Sequence, residues 1–141
     1  MAAYNKFNDF VEQLCKGIHQ LHATGHVIEC YLSNELPLAT DTIKTDIAEI
    51  VIQNGYTGAE DAQNDVTESP AGTANLTCVD IVITAAGGTV GPFKYVVMFN
   101  ETAAAPLDAL IAWWEYPAAA ITLQDGETFT IDFASTTFQL T

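Results

Sequence analysis

The stretch ALIAWWEYP, Ala109–Pro117, sets two tryptophans side by side in an apolar run. In a strand, neighbouring side chains point to opposite faces, so Trp113 and Trp114 cannot share one core. A sheet that carries this strand must be covered on both sides. Strict alternation puts Leu110, Ala112, Trp114 and Tyr116 on one face and Ile111, Trp113 and Glu115 on the other. The first set is apolar throughout and predicts the core face. The second ends in a carboxylate and predicts a boundary, with Trp113 lying under an N-terminal helix or against a partner subunit.

The same period of two runs through the C-terminal half. LTCVDIVITAA (76–86) places Val79, Ile81 and Ile83 together. FKYVVMFN (93–100) places Phe93, Tyr95, Val97 and Phe99 on one face and Val96 and Met98 on the other. GGTVGP (87–92) reads as a turn between them. ITLQDGETFTIDF (121–133) reads as a hairpin around Asp125-Gly126, and TFQLT (137–141) as one more short strand. The N-terminal half differs. Tyr4, Phe7, Phe10, Val11, Leu14, Cys15, Ile18 and Leu21 recur at helical spacing, and Gly25 marks the expected exit. HVIECYLSN (26–34) is a strand. Thr40 or Asp41 can cap a second helix with Ile43, Ile47 and Ile50 on its buried face. YTGAEDAQNDVTESPAG (56–72) is polar and rich in turn residues, which predicts a surface loop.

These elements predict a mainly β chain: a single domain over 1–141, built as an antiparallel β-sandwich or jelly-roll-like body. An amphipathic helix falls within 1–24, the β body covers 25–141, and a short second helix lies near 41–52. A ferredoxin-like layer would need longer helices between strands. The apolar residues nominated for contact with a partner sit on the helix stripe and on the second faces of the strands. They are Trp113, Ile111, Phe7, Phe10, Leu14, Val96 and Met98.

The chain has 141 residues, 49% of them hydrophobic, which is enough for one real core. Its charge is lopsided: four lysines, no arginine and 18 acidic residues leave a formal net charge of −14. Phosphate neutralisation needs basic residues, so nucleic acid is excluded as a direct partner, and anionic membrane surfaces are disfavoured. No apolar run reaches the length of about 20 residues that spans a bilayer. MAAYNKFNDF lacks the form of a secretion signal, so synthesis and retention in a cytosol are expected.

Catalytic and metal-binding patterns are sparse. Cys15, His19 and His22 stand at helical spacing and would need to converge with His26 to hold zinc. Cys15 lies on the apolar stripe and Gly25 breaks the register, so buried thiol and surface histidines are the expectation. Cys30 sits in an apolar strand with nothing near it to lower its pKa, which argues against a nucleophile. Glu60, Asp61 and Asp65 lack EF-hand spacing and read as a solvated loop. The sequons Asn75-Leu76-Thr77 and Asn100-Glu101-Thr102 fall in or near apolar strands and read as chance. No cofactor, metal, small-molecule substrate or enzymatic activity is expected.

Five stretches, KFNDFVEQLCKGIHQLH, LSNELPLATDTIKTDIAEI, GGTVGPFKYVVMFNETA, LIAWWEYP and ITLQDGETFTIDF, resemble a family of small structural proteins from the head and tail genes of tailed bacteriophages. The resemblance covers most of the chain in order, most loosely around residues 57–75. It consists of fold motifs, so no catalytic residues carry over. It implies a virion component made in the host bacterial cytoplasm. Its implied role is a decoration or cement protein that binds the major capsid protein and copies of itself. The alternative is a tail or host-attachment binding module, with an affinity for carbohydrate if a tryptophan lies open in a groove beside acidic residues.

Overall fold

The computed structural model describes residues 2–141. In chain order its elements are β1 (Asn5–Lys6), α1 (Asn8–Cys15), β2 (Ile28–Ser33), β3 (Glu60–Asp61), β4 (Asp65–Ser69), β5 (Thr73–Thr77) and β6 (Ile81–Thr84). Then follow β7 (Val90–Phe93), β8 (Tyr95–Ala104), β9 (Leu107–Glu115), β10 (Ile121–Leu123), β11 (Thr128–Ile131) and β12 (Phe138–Leu140). The long strands β8 and β9 pair antiparallel at the centre of a five-stranded sheet of order β1-β9-β8-β2-β3. Three smaller antiparallel sheets, β12-β5-β4, β11-β6 and β10-β7, pack against it in a β-sandwich-like arrangement.

Both faces of the central sheet are buried, as two neighbouring tryptophans require. One face contributes Ile28, Cys30, Leu32, Val96, Met98 and Trp114 to a large core shared with the smaller sheets. The other contributes Tyr31, Val97, Phe99 and Leu110 to a second core, closed by Phe7 and Ile47, with Trp113 partly buried at its margin. The second face is therefore covered by the chain itself, through its N-terminal arm and the segment 34–58.

Strict alternation fails once in β9. Met98 pairs with Ala112 and Phe99 with Leu110, which leaves Ile111 as an extra residue, a β-bulge. The bulge turns Ile111 to the same core as Ala112 and Trp114, and it sends Leu110 to the core that Trp113 borders. The expected face assignments of Leu110 and Ile111 are thus exchanged. Phe93 also changes sides relative to Tyr95, because β7 ends before Lys94 and β8 begins after it.

The N-terminal helix is shorter than the expected 1–24. Gly17 adopts φ 78°, and the Gly17 and Ile18 N–H groups donate to the Leu14 and Gln13 carbonyls. Those two bonds form a Schellman stop, so the exit is Gly17 and not Gly25. The second helix near 41–52 is reduced to one 3₁₀ turn, Lys44–Asp46. Its sequence is β-branched, and the Asp46 carboxylate accepts the Thr42 and Ile43 N–H groups at 2.9 and 3.1 Å. Such local bonds compete with helix formation, and they also hold the Asp46 carboxyl below its ordinary pKa. Released from a helix, Ile47 points into the second core.

Two further expectations change. The acidic stretch 56–72 contains β3 and β4, and β4 pairs with β5 along its whole length. The Asp125-Gly126 turn forms, with Glu127 N–H donating to the Gln124 carbonyl, but its arms diverge. β10 pairs with β7 and β11 with β6, so the turn joins two sheets instead of closing a hairpin.

Trp114 is 8% exposed, and Trp114→Ala should lower the unfolding free energy in urea titrations by about 3–5 kcal/mol. Val82 is 56% exposed, and Val82→Ala should shift it by less than about 0.5 kcal/mol. The Tyr56 hydroxyl accepts the buried Leu32 N–H at 3.0 Å and donates to Glu49 Oε1 at 2.7 Å. Tyr56→Phe strands that N–H and should cost about 1–3 kcal/mol in the same titration.

Candidate functional site

The seven nominated contact residues divide by burial. Phe7, Phe10, Val96, Met98 and Ile111 are buried inside their own chain. They cannot meet a partner without unfolding, which corrects their assignment to an outer surface. Phe7 is held by the N-terminal arm, its N–H donating to the Ile111 carbonyl, whereas Phe10, Val96, Met98 and Ile111 lie in the core shared with the smaller sheets. Trp113 and Leu14 are only partly buried.

The cysteines and histidines do not assemble. Cys15 is exposed at the end of α1, whereas His19 is buried, and no group of three metal-ligating side chains occurs among the described residues. Complete burial pushes the Cys30 thiol well above its ordinary pKa and keeps it protonated. The acidic side chains of 60–65 hold loops: Asp61 accepts Gln63 N–H, and Asp65 accepts Ala23 and Val66 N–H.

A buried polar cluster does form around Asn100. Its Nδ2 lies 3.1 Å from the Ile18 carbonyl, 3.1 Å from His19 Nδ1 and 3.0 Å from His26 Nδ1. Its Oδ1 accepts the Thr102 and Ala103 N–H groups. Asn100 thereby ties the irregular segment 18–26 to the end of β8. Burial is the main cause that lowers the His19 pKa to about 4, with His26 adding repulsion.

A groove of about 940 Å³ lies between the ends of β8 and β9 and strand β11. Trp114, Val96 and Phe133, all from the larger core, are among its lining residues. Tyr116, 42% exposed, and the half-buried Phe129 present accessible rings. Glu115, Asp132, Asn5 and Lys94 supply the polar rim, and Lys94 Nζ is paired with Glu115 Oε1 at 2.7 Å. Alternation had placed Tyr116 in the core. β9 ends at Glu115, so Tyr116 leaves the sheet plane and faces solvent. The groove was not legible in the sequence, since β11 comes from a turn that reads as a hairpin.

Comparison with protein-family models, with curated proteins and with solved structures gave no match to this chain.

His19 gives the site a pH signature. Above pH 6.5 both folded and unfolded chains hold it neutral, so its contribution is fully present. As pH falls toward 4 the unfolded chain takes the proton and the folded chain does not. Stability should then decline by on the order of 3 kcal/mol across that window. Urea midpoints measured from pH 7 to 5 should fall less steeply for His19→Gln than for the parent.

Proposed function

We propose that the chain is a non-catalytic structural protein of a tailed-phage particle, a decoration or cement protein bound to the capsid shell and to copies of itself. The observation that carries this reading is the surface of segment 34–58. Its inner side seals the sheet through Ile47, while Leu36, Leu38, Val51 and Ile52 stand 54–69% exposed on it. A segment that is apolar on both sides suits a body wedged between neighbours. The rigidity expected of a sheet covered on both faces supports the same reading.

The sheet edges add support. The outer edge of β9 is occupied by Asn5–Lys6, by the Phe7 bond to Ile111 and by the Leu110 bond to the Thr42 carbonyl. The opposite edge is capped by Glu60–Asp61 on β2. Covered edges restrain open-ended strand addition, which a protein placed at defined positions on a shell must avoid. Trp114 is 8% exposed and does not lie open, so the second reading, a tail or host-attachment module, rests on the exposed Tyr116 with Asp132 in the same groove. Abundance separates the two.

Mass spectrometry of purified particles of the encoding phage should find the chain in hundreds of copies, scaled to the major capsid protein. A handful of copies would assign it to the tail, and absence would overturn both virion readings. Ile52→Asp should leave the urea midpoint unchanged and reduce incorporation into particles.

A further inference from the structure

We propose that the groove between the ends of β8 and β9 and strand β11 binds a neutral saccharide. The inference is independent of the virion reading. Sugar rings present flat C–H faces edged by hydroxyls. They are held by aromatic rings that cover the faces and by carboxylates and amides that accept or donate at the edges. The groove supplies both. Tyr116 and Phe129 offer accessible rings, over a floor that includes Trp114. Asp132 and Glu115 also line it, Glu115 with one oxygen held by Lys94, and so does Asn5, whose Nδ2 donates to the Ala3 and Trp113 carbonyls. Its volume, about 940 Å³, lies near the upper end of the range of roughly 300–1,000 Å³ in which small-ligand sites fall.

Charge narrows the ligand. The protein carries −14 overall, and Lys94, the one lysine lining the groove among the described residues, is already paired with Glu115. A sialylated, sulfated or phosphorylated glycan would meet the Asp132 carboxylate and the acidic field of the whole chain, so the ligand is an uncharged sugar. An extended peptide is disfavoured on the β9 side, because the β9 edge is bonded to Asn5–Lys6 and offers no free ladder there. The rings are also well placed to report on binding. Trp114 lines the same groove as Tyr116 and is 8% exposed, so a ligand there changes the surroundings of an indole just below the surface.

The test uses the purified full chain, without particles, so its outcome does not depend on where the protein resides. Maltohexaose, cellohexaose, chitohexaose and laminarihexaose are titrated by calorimetry and by tryptophan fluorescence, with heparin as the anionic control. At least one neutral probe should bind with a Kd of about 1 mM or tighter and shift tryptophan emission, while heparin should not bind. Tyr116→Ala and Asp132→Asn should each weaken that probe about tenfold with an unchanged urea midpoint, and Tyr116→Phe should retain it. Failure of all four neutral probes to bind at millimolar concentration would overturn the proposal. Equal binding by Tyr116→Ala would overturn the assignment to this groove.

Discussion

The structure turns on how an N-terminal arm grips one edge of the central sheet. Asn5 and Lys6 pair with Trp113 and Ala112, and the residues on either side of that short ladder reach around opposite faces. Tyr4 meets Trp114 at 6.1 Å and stacks on Phe138 at 4.7 Å, inside the larger core. Phe7 meets Trp113 at 4.5 Å on the other side. Each tryptophan thus receives its own aromatic partner from one short strand, and the two cores are fastened at a shared seam. Without the arm, β9 would expose its main-chain donors and acceptors along with both indoles, a surface prone to association.

The sequence was most legible where burial is symmetrical. The β8 run has large apolar residues on both parities, and its two faces separate as alternation predicts, Val96 and Met98 to one core and Tyr95, Val97 and Phe99 to the other. It was least legible where a single residue resets the pattern. The bulge at Ile111 depends on registration against β8, which no local property of β9 reveals. The stop at Gly17 was available in principle, as a glycine after six apolar positions at helical spacing. The apolar residues Ile18 and Leu21 beyond it continued the stripe and masked it. Ile18 is half-buried and Leu21 is buried, yet both lie in irregular chain. The segment around Asp46 misled for another reason. Neither Thr40 nor Asp41 caps the turn that forms, whose N-cap is Ile43, and the Asp46 carboxylate satisfies the Thr42 and Ile43 N–H groups before a helix can extend.

The acidic surface and the apolar interior are linked by where charges are tolerated. Half-buried Glu29 has its pKa raised by burial first and by Glu101 second, one place where crowding of like charge reaches into a strand. Elsewhere the carboxylates do structural work at loop ends: Asp41 on Leu38 N–H, Glu35 on Ala48 N–H, Asp80 on Phe133 N–H. The acidity is thus partly a scaffold of main-chain anchors, which lets a β body with long connections hold them in place with few basic partners.

The arm's grip also sets an order of events during synthesis. Asn5 and Trp113 are 108 positions apart in sequence. Tyr4 and Phe7 are therefore made long before the indoles they cover. At ribosomal speeds of about 5–20 residues per second, the arm waits for several seconds with its aromatics unpartnered. The central hairpin β8–β9 pairs locally and can form as soon as it is made, whereas the arm must close a loop that spans most of the chain. Docking of the arm cannot precede synthesis of β9, and Tyr4 finds its partner Phe138 only when the last strand has been made.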